Sequence, residues 1–176
     1  MEHIKSTWSI DPDHSEIQFK VKHLAISNIA GTFKTFKGDV ISPKEDFDNA
    51  AINLAIDANS INTQHEIRDG HLKGEEFFDT NQFPQISFNG LLQKQAGKYE
   101  LTGNLTIRQN TQPIVLDVEF TGIGKGRNGD VRAGFEASGK INRKDYGLTW
   151  SMLTDTGALI IGEEIKLHFD IQLIKQ

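Results

Sequence analysis

Apolar and polar residues alternate along most of this chain. In Ile17-Gln18-Phe19-Lys20-Val21-Lys22-His23-Leu24, the positions Ile17, Phe19 and Val21 face one way while Gln18, Lys20 and Lys22 face the other, the period-two signature of a strand with one wet face. The alternation returns at Ile52, Leu54 and Ile56, at Ile86 and Phe88, and at Leu101, Gly103, Leu105 and Ile107. It continues through Ile114, Leu116, Val118 and Phe120, then Val131, Ala133, Phe135 and Ala137, and finally Ile165, Leu167, Phe169, Ile171 and Leu173. With the stretch from Ile29 to Ile41, this predicts about eight strands. Ser42-Pro43, Asn49, Gly90, Gly97-Lys98, Gln109-Asn110-Thr111 and Asn128-Gly129 supply turn chemistry between the runs, at hairpin spacings that imply antiparallel pairing.

Eight one-sided strands must hide their apolar faces by pairing two sheets or by closing one sheet on itself. Closure is expected, because the strands are long: about eight residues span roughly 27 Å at 3.4 Å per residue. An eight-strand barrel has room for a side-chain core or one ligand. The fold class is therefore all-β, an eight-stranded antiparallel barrel forming a single domain over residues 1–176. One segment departs from the pattern, Thr63 to Gly74. Thr63 followed by Glu66 reads as a capping box, Ile67 and Leu72 give a modest apolar stripe, and Gly74 suits a C-terminal cap, so a short helix is expected between strands three and four. Phe77 and Phe78, just beyond it, are placed to seal one barrel end.

Composition sharpens the picture. Of the aromatic residues 11 are Phe, against 2 Trp and 2 Tyr, so the chain favours the aromatic ring without a polar handle, suited to lining apolar space. Small residues on the same faces (Gly31, Gly103, Ala133, Ala137, Gly139) are expected to leave interior volume that side chains do not fill. A fully packed core that needs no ligand is the opposing reading, since each buried Phe stabilises the fold by about 1.5–3 kcal/mol. The net charge of −5 gives no nucleic-acid footprint, and the absence of Cys excludes disulfides, thiolate nucleophiles and Cys-based metal sites. No window has the apolar length of a membrane span. Met1 to Trp8 enters the strand pattern without an apolar leader, so the expected location is cytoplasmic, or periplasmic if the sequence is a mature form.

Three motifs suggest chemistry that their context does not support. Gly124-Lys125-Gly126-Arg127-Asn128-Gly129 matches a dinucleotide-binding spacing, but a strand at Val131 to Phe135 follows where a helix is required, so Asn128-Gly129 reads as a hairpin turn. Asp11-Pro12-Asp13-His14-Ser15 puts Asp, His and Ser together, yet consecutive residues around a Pro point apart; a turn capped by Asp13 or Ser15 is expected. His65 and Asp69 could share a helix face and take a metal with His14 or His23, a spacing that is not diagnostic. Arg68 and Asp69 are expected instead to anchor the helix to a neighbouring loop. His23 falls by parity on the apolar face at the end of its strand, either bonded to a backbone carbonyl or facing the polar end of a ligand.

Trp8-Ser9-Ile10-Asp11-Pro12-Asp13-His14-Ser15, Phe19-Lys20-Val21-Lys22-His23-Leu24 and Gly31-Thr32-Phe33 together resemble the opening of the YceI-like, polyisoprenoid-binding family. Ser60-Ile61-Asn62-Thr63, Arg68-Asp69-Gly70-His71-Leu72, Phe77-Phe78-Asp79, Phe83 to Phe88, Gly103 to Ile107 and Ile141 to Leu148 continue the resemblance in order. It differs at Arg108-Gln109-Asn110-Thr111, where the family carries a small Gly-containing turn; Asn110, which tolerates the left-handed conformation, is expected to replace the Gly. The resemblance implies a lipocalin-like barrel, commonly a homodimer, that holds an isoprenoid or other long-chain lipid. No cofactor, metal or catalytic set is implied. The chain is expected to bind, store or transport a polyisoprenoid, isoprenoid quinone or fatty amide along Phe19, Val21, Phe33, Leu54 and Phe88, then Leu105, Phe120, Phe135 and Phe169, with His23 at the polar end. The alternatives are an enzyme using His23, His71 or Arg143 on an apolar substrate, and a ligand-free stress-related scaffold.

Overall fold

The computed structural model describes residues 5–153 and 160–176. Alternation along the chain becomes eleven strand segments: β1 (Ser6–Ile10), β2 (Glu16–His23), β3 (Ser27–Phe33), β4 (Phe36–Ser42), β5 (Ala50–Asp57), β6 (Ile61–Asn62), β7 (Gln85–Gln95), β8 (Lys98–Ile107), β9 (Asn110–Lys125), β10 (Val131–Asn142) and β11 (Ile161–Lys175). All pairings are antiparallel, in the order β1-β4-β5-β7-β8-β9-β10-β11, and β1 closes the ring on β11 through Trp8↔Lys175 and Ile10↔Leu173. The result is the expected closed eight-stranded barrel. Three of its strands are interrupted, which is why the segments outnumber the strands. β1 and β2 are one ribbon broken at Pro12–His14, β3 and β4 another broken at Lys34-Thr35, and β5 and β6 a third broken at Ala58–Ser60. Each half keeps its neighbour: β1 pairs β4 while β2 pairs β3, and β11 pairs β1 with its last residues and β2 with its first. No helix among the described residues is long and apolar enough to cross a membrane.

The up-and-down order sorts the connections into two ends. One end receives the β4–β5 loop, the β7–β8 turn and the β9–β10 turn, and it is closed by aromatic rings. Phe47 comes from the β4–β5 loop with φ 64° and is buried, with ring centroids 5.0 Å from Trp8, 5.5 Å from Phe120 and 5.0 Å from Phe135. Phe120 stacks on Phe135 at 4.9 Å, and Tyr99 donates its hydroxyl to the Asp46 carbonyl at 2.6 Å, tying the loop down. Gly126 to Asp130 forms the β9–β10 hairpin turn with Gly129 at φ 82°, as its Asn-Gly signal implies.

Among the small residues, Ala137 lines interior space, but the glycines do not leave the gaps expected of them. The Phe19 ring occupies the space a Cβ on Gly31 would need, Phe88 lies over Gly90 and Gly103, and Leu116 over Gly139. Rings laid across strand glycines fill the expected gaps and bind adjacent strands together. The turn at 108–109 is also a correction, because Arg108, not Asn110, takes the left-handed conformation at φ 56°. Its guanidinium rests over Phe83 and donates to the Phe77 carbonyl, while Asn110 donates its side-chain amide to Tyr146 O at 2.8 Å.

Asp11, and not Asp13, caps the start of the turn that breaks the first ribbon, and Ser15 caps its end. The nearly buried Asp11 carboxylate accepts from the Asp13 amide (3.0 Å), His14 Nδ1 (2.7 Å) and Arg132 Nη1 (2.6 Å), while Ser15 Oγ accepts from the Gln172 amide of β11 at 3.0 Å. Burial alone would raise the Asp11 pKa, but the bonds from Arg132, His14 and the Asp13 amide outweigh it and hold the carboxyl below its ordinary value. A folded-state pKa below the unfolded value of about 3.9 stabilises the protein above that pH, and the stabilisation disappears as pH falls through the folded value. Asp11→Asn is therefore expected to lower the urea midpoint near neutrality, with the gap to the parent chain narrowing once pH drops below about 4. A gap that does not change with pH would contradict this role.

Candidate ligand-binding cavity

Inward side chains leave two cavities in the barrel. The inner one, of about 100 Å³, lies against the aromatic plug and is lined only by apolar residues, among them Phe47, Leu54, Phe88, Phe135 and Ala137. The outer one, of about 430 Å³, lies at the opposite end, where the β2–β3 turn, the helix and the β10–β11 connection converge. Its size is within the range of small-molecule sites. Ile56, Leu105 and Phe169 line both, so these three side chains form the boundary between the chambers.

Most of the candidate residues line one of the two chambers. Phe19, Val21, His23 and Phe33 line the outer chamber, Leu54, Phe88 and Phe135 the inner one, and Leu105 and Phe169 both. Phe120 lines neither. Its parity is inward, as for Ile114, Leu116 and Val118, but it lies where β9 meets the closed end, beside a register shift at Gly134/Phe135, and its ring is consumed by the plug. Phe77 and Phe78 line the outer end: Phe78 meets Phe33 edge-on at 5.9 Å, and Phe77 packs at 5.4 Å from Trp150.

The helix α1 (Glu66–Leu72) carries several polar groups of the outer chamber, and its start corrects the capping-box expectation. His65 is the N-cap, with Nδ1 accepting the Arg68 amide at 3.1 Å. Thr63 is tied instead to Asp69, whose carboxylate accepts from both the amide (2.9 Å) and the hydroxyl of Thr63. Arg68 donates from Nε to Thr63 Oγ1 and from Nη2 to Thr63 O, each at 2.8 Å, which gives Arg68 and Asp69 the anchoring role expected of them. His65, Arg68 and Leu72, three and four residues apart, share the face that turns to the chamber. Asp69, four residues on from His65, is occupied by Thr63. Among the described residues no three His, Asp or Glu stand close enough to hold a metal ion.

Arg143 is the polar residue whose position the sequence least prepared us for. It is 2 % exposed and lines the outer chamber. The guanidinium donates from Nε to Gly162 O (2.8 Å), from Nη1 to Leu148 O (2.6 Å) and Trp150 O (2.8 Å), and from Nη2 to Ile161 O (3.3 Å). It thereby binds both ends of the β10–β11 connection to the end of β10. Burial lowers its pKa from the ordinary guanidinium value, opposed by the nearby charge of Glu163. Beside it, burial and Asp145 push the Tyr146 phenol up to about 12. The one signal for Arg143 in the sequence is parity, since Ile141, two residues earlier, also lines the chamber.

Comparison with known proteins gives a single answer. The profile of the YceI-like domain matches residues 8–173. A UPF0312 protein of Staphylococcus epidermidis is 36 % identical over 162 residues, which covers 92 % of this chain and 93 % of that protein. Among solved structures, BcnA of Burkholderia cenocepacia superposes with a TM-score of 0.80 at 21 % identity, covering 93 % of this chain and 98 % of that one. A polyisoprenoid binding domain from Saccharophagus degradans, described as implicated in plant cell wall breakdown, has a TM-score of 0.72 at 15 % identity, with coverage of 96 % and 98 %. At these identities both structures speak to the fold.

Proposed function

Because the chain belongs to the YceI-like domain family, we propose that its barrel binds one long apolar lipid, such as a polyisoprenoid, an isoprenoid quinone or a fatty amide, and stores or carries it without altering it. The observation that carries this reading is the inner cavity: it has no polar lining, and it adjoins the larger chamber across Ile56, Leu105 and Phe169. Space of that kind suits a hydrocarbon tail and offers nothing to a polar substrate. The polyisoprenoid binding named for the Saccharophagus degradans domain supports the same class of ligand. Burying about 200 Å² of apolar chain at roughly 25 cal/mol per Å² contributes ~5 kcal/mol before the cost of ordering the chain.

Native mass spectrometry of protein purified without detergent tests this, with organic extraction to identify what is released. A stoichiometric lipid adduct is expected, and the same spectrum reports the homodimer that belongs to this reading. A bare mass that takes up no added prenyl alcohol or quinone would refute it. Leu105→Trp adds a bulky ring at the boundary between the chambers. A prenyl alcohol long enough to occupy both is expected to lose about ten-fold or more in affinity, roughly 1.4 kcal/mol, while one confined to the outer chamber keeps its affinity. Equal losses for both would mean that the chain does not cross this boundary.

A further inference from the structure

The ionisable groups of the barrel interior are gathered at the outer chamber. Among the described residues, every ionisable side chain that lines the outer chamber is a nitrogen base: His23, His65, Arg68, His71 and Arg143. Among the described residues no Asp or Glu lines it, although the whole chain carries a net charge of −5. Of the nearby carboxylates, Glu76 pairs with His71, Asp69 with Thr63, and Glu163 with Lys144 at 2.7 Å, which leaves Arg68 and Arg143 without a carboxylate partner among the described residues.

Several of these bases keep donors in reserve. The His65 ring accepts the Arg68 amide at Nδ1, which puts the proton of the neutral imidazole on Nε2, free to donate. Arg68 uses Nε and Nη2 on Thr63 and makes no hydrogen bond from Nη1 among the described residues. Arg143 spends four of its five N–H groups on carbonyls and is neutralised by no ion pair among the described residues, so its charge and last donor stay at the chamber wall. The outer chamber thus presents donors and positive charge beside an apolar interior.

From this we propose that the bound lipid is a single-chain anion whose carboxylate or phosphate head sits among Arg68, Arg143 and His65 while its tail runs past Leu105 toward the aromatic plug. Resting on the lipid-carrier reading, this names the head group. A neutral alcohol or amide would satisfy fewer donors and leave the guanidinium charges uncompensated, whereas a charge-assisted acceptor is held roughly twice as strongly as a neutral one.

The test is calorimetric titration of the intact protein with four probes of equal chain length, below their aggregation concentrations: palmitate, hexadecyl phosphate, palmitamide and hexadecanol. At least one anion is expected to bind about ten-fold or more tighter than both neutral probes. Preference for palmitate identifies a carboxylate head and preference for hexadecyl phosphate a phosphate. His65→Asn preserves the helix cap, because Asn is also a strong N-cap, but withdraws the ring donor. It is expected to lower anion affinity about three-fold more than hexadecanol affinity, and Arg68→Gln should do the same through its lost charge. Equal binding of anions and neutral probes would overturn the head-group assignment and leave the carrier reading standing. Failure of all four probes to bind would overturn both.

Discussion

Arg143→Met is expected to destabilise the protein by about 3–5 kcal/mol, a large share of the stability of a domain this size. One guanidinium holds four backbone carbonyls, those of Leu148, Trp150, Ile161 and Gly162, which methionine cannot bond. Hydrogen bonds from a charged donor contribute about 1.5–3 kcal/mol each, and the total stays below their sum because the freed carbonyls recover some solvation when the connection loosens. Arg143→Lys restores the charge but not the planar fork, so it is expected to recover less than half of the loss. Urea denaturation measures the global effect. Amide exchange adds the spatial one: protection should fall first at residues 148–153 and 160–162, and uniform loss across the barrel would show that Arg143 does not act by pinning this connection. Because Trp150 and Leu148 line the outer chamber, the same variant is expected to release a bound lipid faster.

Phe47→Ala has an effect of similar size at the other end, also about 3–5 kcal/mol, as for other buried Phe truncations. Phe47 is 1 % exposed and touches Trp8, Phe120 and Phe135, so removing its ring leaves a hole at the centre of the plug. Its backbone adds a second, separable contribution. At φ 64° an L-residue is strained by roughly 1–2 kcal/mol and glycine is not, so Phe47→Gly is expected to be no more damaging than Phe47→Ala despite losing one more carbon. A Gly variant clearly less stable than the Ala variant would show that the loop relaxes its backbone once the ring is gone. Truncation also extends the inner cavity, which Phe47 lines, so a lipid carrier with this change should accept longer chains.

Much of the fold was legible because a strand with one wet face repeats every two residues, and eight such strands have few ways to hide their apolar sides. The turn at Pro12–His14 was legible from its Asp-Pro-Asp run, and at Ala58–Ser60 the inward parity switches from Ile52, Leu54 and Ile56 to Ile61. Parity also carried the site a long way: it placed Phe19, Val21, His23, Leu105 and Phe169 against the cavities. It misplaced Phe120, because parity gives the face of a residue and not its height along the barrel. Reading Gly31, Gly103 and Gly139 as empty space failed for a related reason. Whether a glycine leaves a void depends on the ring lying across from it, and here Phe19, Phe88 and Leu116 lie over them.

The sequence by itself determined the strand count, the antiparallel pairing, the short helix and the apolar inner face, since each follows from local periodicity, turn chemistry or capping residues. The tertiary structure decided which end is plugged, that Arg143 is buried on four carbonyls, and that His65, Arg68 and Arg143 come together at the open end. Those features depend on residues that meet only when the ring closes, from segments separated along the chain by tens of residues, and no pattern within a single strand encodes such a meeting.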